Sequence, residues 1–181
     1  MNLPNKITVA RVLLIPIFLV VYLVQPFADV PNQWVALTLF VIAASTDALD
    51  GYLARRMNLV SNFGKLIDPL ADKLLVCSVL VAFTAMGEVP AWATIVIIAR
   101  EFYISGFRQL ALEQNLVLAA TGLGKLKTIF QITLLVYVLL PLQFLVFEYV
   151  TLGLVIVAVV FTLWSAVDYT AKNTQVFGER L

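Results

Sequence analysis

The sequence predicts an all-α integral membrane protein, a bundle of six transmembrane helices. Three observations carry that reading. Of 181 residues, 62% are apolar and only 13% are charged. Mean hydropathy is +0.98. Apolar segments recur between turn-forming breakers, with no internal repeat. Soluble domains hold about 25% charged residues, so this chain lacks the polar material to cover a globular surface. Six helices of about 20 residues use about 120 positions, so a single membrane domain over residues 1–181 is expected.

The first apolar segment, Val12–Ala28, follows a basic start (MNLPNKITVAR) that resembles a signal peptide. No small-x-small site follows promptly, so a retained helix is expected. The second, third and fourth segments, Gln33–Thr46, Leu74–Gly87 and Val89–Ala99, span a bilayer only if a charged flank continues each helix. Thr128–Phe147 and Tyr149–Val167 are long enough unaided. Breakers lie at Gln25-Pro26, Pro31-Asn32, Ser61-Asn62 with Gly64, Gly87 and Pro90, and Gly122 with Gly124. Pro16 and Pro141 fall inside apolar runs, where membrane helices tolerate proline.

Charge fixes the orientation. With the N-terminus inside, the outer loops near 26–33, 87–90 and 145–149 hold Asp29, Glu88 and Glu148 and no Lys or Arg. All 12 basic residues then share the other side: Lys6, Arg11, Arg55, Arg56, Lys65, Lys73, Arg100, Arg108, Lys125, Lys127, Lys172 and Arg180. By the positive-inside rule both termini face the cytoplasm, in the cytoplasmic membrane.

Composition also excludes chemistry. Without His there is no imidazole base, His-ligated metal or His switch. A lone Cys77 in an apolar run rules out disulfide frameworks and is expected to be a buried small hydrophobe. A net charge of +1 argues against nucleic acid as a partner.

The chemistry-bearing stretch is STDALDGYLARRMNLVSNFGKLIDPLADK, Ser45–Lys73. Asp47 and Asp50 are three apart and share a helical face, which Gly51 and Ala54 continue before Arg55. Asp68 and Asp72 are four apart on the next helix, with Gly64 one turn earlier. Crowded carboxylates repel and call for cations. Oxygen ligands without His or Cys select hard ions, so two divalent cations, Mg²⁺ or Mn²⁺, are expected. Two such ions form the clamp used in phosphoryl displacement. Small residues alone usually mark helix packing; joined to four intramembrane acids, they mark function.

The string Asp47-x2-Asp50-Gly51-x2-Ala54-Arg55-x8-Gly64-x3-Asp68-x3-Asp72 resembles the signature of CDP-alcohol phosphotransferases at every specified position. That family has six transmembrane helices, so the resemblance covers essentially the whole chain. It implies transfer of a phosphatidyl or similar group from a CDP-linked donor to an alcohol, with release of CMP. It further implies that Asp47, Asp50, Asp68 and Asp72 bind metal, with Asp72 also the general base. Asp47, Gly51, Ala54, Arg55 and Gly64 would hold the nucleotide. A homodimer is implied as well.

The acceptor is read from a second basic group, Arg100 and Arg108 in IIAREFYISGFRQLALE and Lys125 and Lys127 in GLGKLKT. Several cations, two at a helix N-terminus, suit an acceptor that is itself a phosphate. The blocks NLPNKITVARVLLIP, AREFYISGFRQLA and GKLKT resemble the bacterial branch that acts on CDP-diacylglycerol and sn-glycerol 3-phosphate. Inositol phosphate, serine or phosphatidylglycerol are alternative acceptors, and a divalent-cation transporter is the alternative class. A transporter would show broken helices or repeats around a mid-membrane site, which this sequence lacks. Arg100 and Glu101 are adjacent and are not expected to face each other. Trp34, Trp92, Trp164, Tyr149 and Tyr169 read as interfacial belts or packing, Asp168 as a boundary residue, and Arg11 as topology.

Overall fold

The computed structural model describes residues 3–27, 31–56, 62–114, 116, 118–119, 121–142 and 146–177, and the side chains of all of these except 3–5, 47–56, 62–69 and 177. The described residues form six α-helices and no strand: α1 (Leu3–Val24), α2 (Asn32–Arg56), α3 (Asn62–Ala85), α4 (Ala91–Glu113), α5 (Gly122–Leu139) and α6 (Phe147–Lys172), then a 3-10 turn at Thr174–Phe177. The shortest, with 18 residues, rises about 27 Å, close to the hydrocarbon thickness of about 30 Å. Lys6–Val24, Gly122–Leu139 and Phe147–Lys172 are long and apolar enough to cross a membrane by length and composition alone. The other three helices run on into their charged flanks, as their short apolar segments require.

The helix ends follow the breakers with one exception. Gln25 sits in the left-handed region at φ 52 and Gly87 at φ 79, each ending a spanning segment, and Pro90 caps α4. Pro141, however, is not inside a helix. α5 stops at Leu139, because the residue before a proline is driven out of the α region and proline offers no N–H. A tight turn follows, with the Leu142 amide donating to the Leu140 carbonyl at 2.7 Å. At its other end α5 starts at Gly122, earlier than the apolar run alone indicates, and so takes in Lys125 and Lys127. Lys6, Lys65, Lys125 and Lys127 thus lie near the starts of α1, α3 and α5, and Arg55, Arg56, Arg108 and Lys172 in the C-terminal halves of α2, α4 and α6, while Lys73 and Arg100 lie near the middles of α3 and α4.

The described residues fall into two compact units, Met1–Met86 with Val138–Leu142, and Gly87–Tyr137 with Gln143–Leu181. In the first, α1 packs on both α2 and α3. Thr8, Arg11, Ile15, Phe18 and Tyr22 are buried along one face of α1, at the alternating three- and four-residue spacing of closely packed helices. Ala36, Phe40 and Ala43 line α2, and Leu75, Val79 and Phe83 line α3. The alanines let backbones approach, the usual packing device where lipid removes the hydrophobic drive. Phe18 stacks on Tyr22 at 5.6 Å, and Tyr22 meets Phe83 at 5.3 Å. Cys77 is half-buried rather than buried. The exposed face of α1 is Leu13, Ile17, Val20 and Val24, an apolar exterior that suits lipid and not water.

Arg11 is more than a topology signal. It is completely buried, and its Nε–H is shared between the Ala43 carbonyl and Thr46 Oγ1, each at 3.2 Å. Thr46 in turn donates to the Ala43 carbonyl at 2.7 Å. Arg11→Met is expected to cost about 1–3 kcal/mol, the range for losing a charged donor to buried acceptors. The check is the thermal midpoint in detergent; an unchanged midpoint would contradict this role.

In the second unit α4 packs against α6 and the 3-10 turn. Ile104, Phe107 and Ala111 of α4 form a core with Tyr169 and Val176. Phe107 meets Tyr169 edge-on at 5.9 Å, and Gln114 Nε2 donates to the Val176 carbonyl at 2.8 Å. On α5, Phe130 stacks on Phe161 at 4.5 Å and Tyr137 on Phe147 at 4.9 Å. Ile156, Val160, Leu163 and Val167 give α6 an exposed apolar stripe.

Candidate active site

The core-facing stripes of α2 and α3 lead directly into the acidic motif. On α2 the buried positions 36, 40 and 43 continue at the same alternating spacing through 47, 50 and 54. On α3, positions 64 and 68 precede Asp72, which shares a face with Leu75, Val79 and Phe83. The motif's positions therefore continue, along each helix, the spacing of the buried face. Helical backbone through both segments gives the one-turn separations of Asp47 from Asp50 and of Asp68 from Asp72 that the sequence predicts. Asp72 is exposed, at the end of a stripe whose next members are buried. The side chains at Asp47, Asp50, Arg55 and Asp68, like Gly51, Ala54 and Gly64, lie outside the described residues. Among the described residues no cluster of three or more His, Cys, Asp or Glu forms. The donor set offered by the motif is all-oxygen and anionic, which fits hard divalent cations.

The second unit holds the predicted basic residues, and it sorts them. Arg100 and Lys127 come together on Glu101, which the sequence does not mark as a partner of either. Arg100 Nη1 lies 3.3 Å from Glu101 Oε1, and Lys127 Nζ donates to the same oxygen. Adjacent helix residues do meet here, because a long guanidinium side chain curls back along the helix surface. Arg100 Nη2 also donates to Ser165 Oγ at 3.0 Å. Arg108 is held elsewhere: its Nε donates to Tyr169 Oη at 3.0 Å, with the guanidinium carbon 5.3 Å from that ring's centre. Lys125 is exposed.

Three contributors were therefore missed. Glu101 was legible as an acid inside an apolar segment, where an ionised group needs a partner. Ser165 and the phenol of Tyr169 left no signal, since both read as ordinary packing residues. Tyr169 is buried at 2% exposure, so it packs and does not lie in an interfacial belt. Trp34, Trp92 and Trp164 are half-exposed or more, as belt residues are. Asp168 pairs with Lys172 at 2.7 Å on an exposed surface, a contact worth little.

A family model described as CDP-alcohol phosphatidyltransferase matches residues 1–164. Among similar proteins is the CDP-diacylglycerol–glycerol-3-phosphate 3-phosphatidyltransferase of Bacillus subtilis (strain 168), 45% identical over 95% of each chain. The Salmonella typhimurium protein of the same name is 40% identical over 93% of this chain and 92% of its own. That of Rickettsia bellii is 41% identical over 72% and 70%. With the acidic register on α2 and α3 and a match that runs well into α6, the chain belongs to the CDP-alcohol phosphatidyltransferase family.

Proposed function

We propose that this chain transfers the phosphatidyl group of CDP-diacylglycerol to sn-glycerol 3-phosphate, giving phosphatidylglycerophosphate and CMP. The observation that carries the reading is near-full-length similarity, at 45% identity, to the Bacillus subtilis protein of that name. The whole chain, 1–181, acts as one domain in the cytoplasmic membrane, with both termini and the acidic site on the cytoplasmic side, as the one-sided basic residues support. A lipid donor and a water-soluble acceptor require such an interfacial site. A homodimer follows from the family resemblance.

Asp47, Asp50, Asp68 and Asp72 would hold two divalent cations, Mg²⁺ or Mn²⁺, which when bound would neutralise charge on the transferred phosphoryl and the departing CMP. Asp72 accepts the proton of the acceptor's primary hydroxyl as its oxygen bonds to the diacylglycerol-bearing phosphorus. The pyrophosphate P–O bond breaks, and its electron pair leaves on CMP. Asp47, Gly51, Ala54, Arg55 and Gly64 cradle the nucleotide: the small residues admit it close to the backbone, and the guanidinium pairs with phosphate. Arg100, Arg108, Lys125 and Lys127 take the acceptor's phosphate.

The test is the purified protein in liposomes with CDP-diacylglycerol, glycerol 3-phosphate and Mg²⁺. CMP release that depends on both substrates, without Mg²⁺ flux across the bilayer, is expected. Ion flux without CMP release would overturn the assignment.

A further inference from the structure

Within α4, α5 and α6, two buried cations share one carboxylate. The side chains of Arg100, Glu101 and Lys127 are 10%, 11% and 6% exposed. Arg100 and Lys127 thus both engage Glu101 Oε1. The Ser165 hydroxyl donates to the Thr162 carbonyl at 2.9 Å, which leaves its oxygen free to accept from Arg100. Arg100 Nε is buried with no hydrogen-bond partner. A buried donor left over on a guanidinium already fixed by Glu101 and Ser165 points to one further acceptor at this site.

We propose that Glu101 is a positioning residue for the acceptor's phosphate. It holds Arg100 and Lys127 side by side, where they would otherwise repel, so that both meet an incoming dianionic phosphate monoester already oriented. An ammonium has three donors and a guanidinium five, so a shared carboxylate oxygen engages both cations without exhausting either. Ser165 is the second anchor and fixes the guanidinium plane. This rests on the reading that Arg100 and Lys127 serve the acceptor.

The experiment compares KM for glycerol 3-phosphate and for CDP-diacylglycerol in Glu101→Gln, Glu101→Asp, Lys127→Met and Ser165→Ala, each checked for its thermal midpoint. Glu101→Gln is expected to raise the acceptor KM about tenfold or more, the scale of a lost charge-assisted contact, with the donor KM unchanged. Glu101→Asp, which keeps the charge, is expected to recover part of that loss. The Glu101→Gln/Lys127→Met double variant is expected to be no worse than the poorer single one, as for residues acting as a unit. Should Glu101→Gln not fold, Ser165→Ala decides, with an acceptor KM raised several-fold at constant donor KM. If Lys127→Met raises the acceptor KM and the Glu101 and Ser165 variants do not, Glu101 is only a structural clamp and the inference fails. If Lys127→Met itself leaves the acceptor KM unchanged, it is the underlying acceptor assignment that fails.

Discussion

Asp72→Asn is expected to lower the rate of CMP release by about 10²–10⁴-fold, the range a positioned general base contributes. The substitution keeps the side chain's shape and removes its basicity and negative charge. Asp72 is exposed at the end of the α3 stripe, so its replacement opens no cavity, and the thermal midpoint in detergent should stay close to that of the parent. Steady-state CMP release at saturating CDP-diacylglycerol and glycerol 3-phosphate provides the readout. A loss smaller than about tenfold is outside the range for a general base and would remove Asp72 from that role. The position suits that role: Asp72 is exposed, whereas Leu75, Val79 and Phe83 further along the same face are buried.

Chelation is expected to stop turnover entirely, with Mg²⁺ or Mn²⁺ restoring it. If the four aspartates, at one-turn spacings on α2 and α3, converge as proposed, like charges crowd together, and two unit charges 4 Å apart at an effective dielectric constant near 20 repel by about 4 kcal/mol. The motif therefore favours cation uptake, and its oxygen-only donors favour hard ions over soft ones. Asp47→Ala should raise the Mg²⁺ concentration needed for half-maximal activity, since a ligand is lost while the rest of the register stays. Activity that persists in thoroughly chelated protein would contradict the assignment of these carboxylates as metal ligands.

Both effects depend on a register that was visible in the sequence. The pairs Asp47/Asp50 and Asp68/Asp72 need only helical periodicity to share faces, and α2 and α3 supply it. The helix count and type were equally legible, because the apolar segments and basic ends alternate along the chain. What escaped was set by tertiary contact. An apolar run alone does not show where a proline ends a helix: α5 stops at Leu139, before Pro141. Arg11 was read as a topology marker; only the approach of α2 shows its guanidinium satisfied by the Ala43 carbonyl and Thr46. The four basic candidates looked equivalent in sequence. Glu101 separates them, binding Arg100 and Lys127, while Tyr169 takes Arg108.

The most direct test supplies purified protein with labelled CDP-diacylglycerol and Mg²⁺ and offers glycerol 3-phosphate, inositol phosphate, serine or phosphatidylglycerol separately. CMP release with phosphatidylglycerophosphate as the lipid product, from glycerol 3-phosphate and from none of the others, is the predicted result. Turnover with a different alcohol in place of glycerol 3-phosphate would contradict it, leaving the carboxylate chemistry in place and removing the acceptor role assigned to Arg100, Arg108, Lys125 and Lys127.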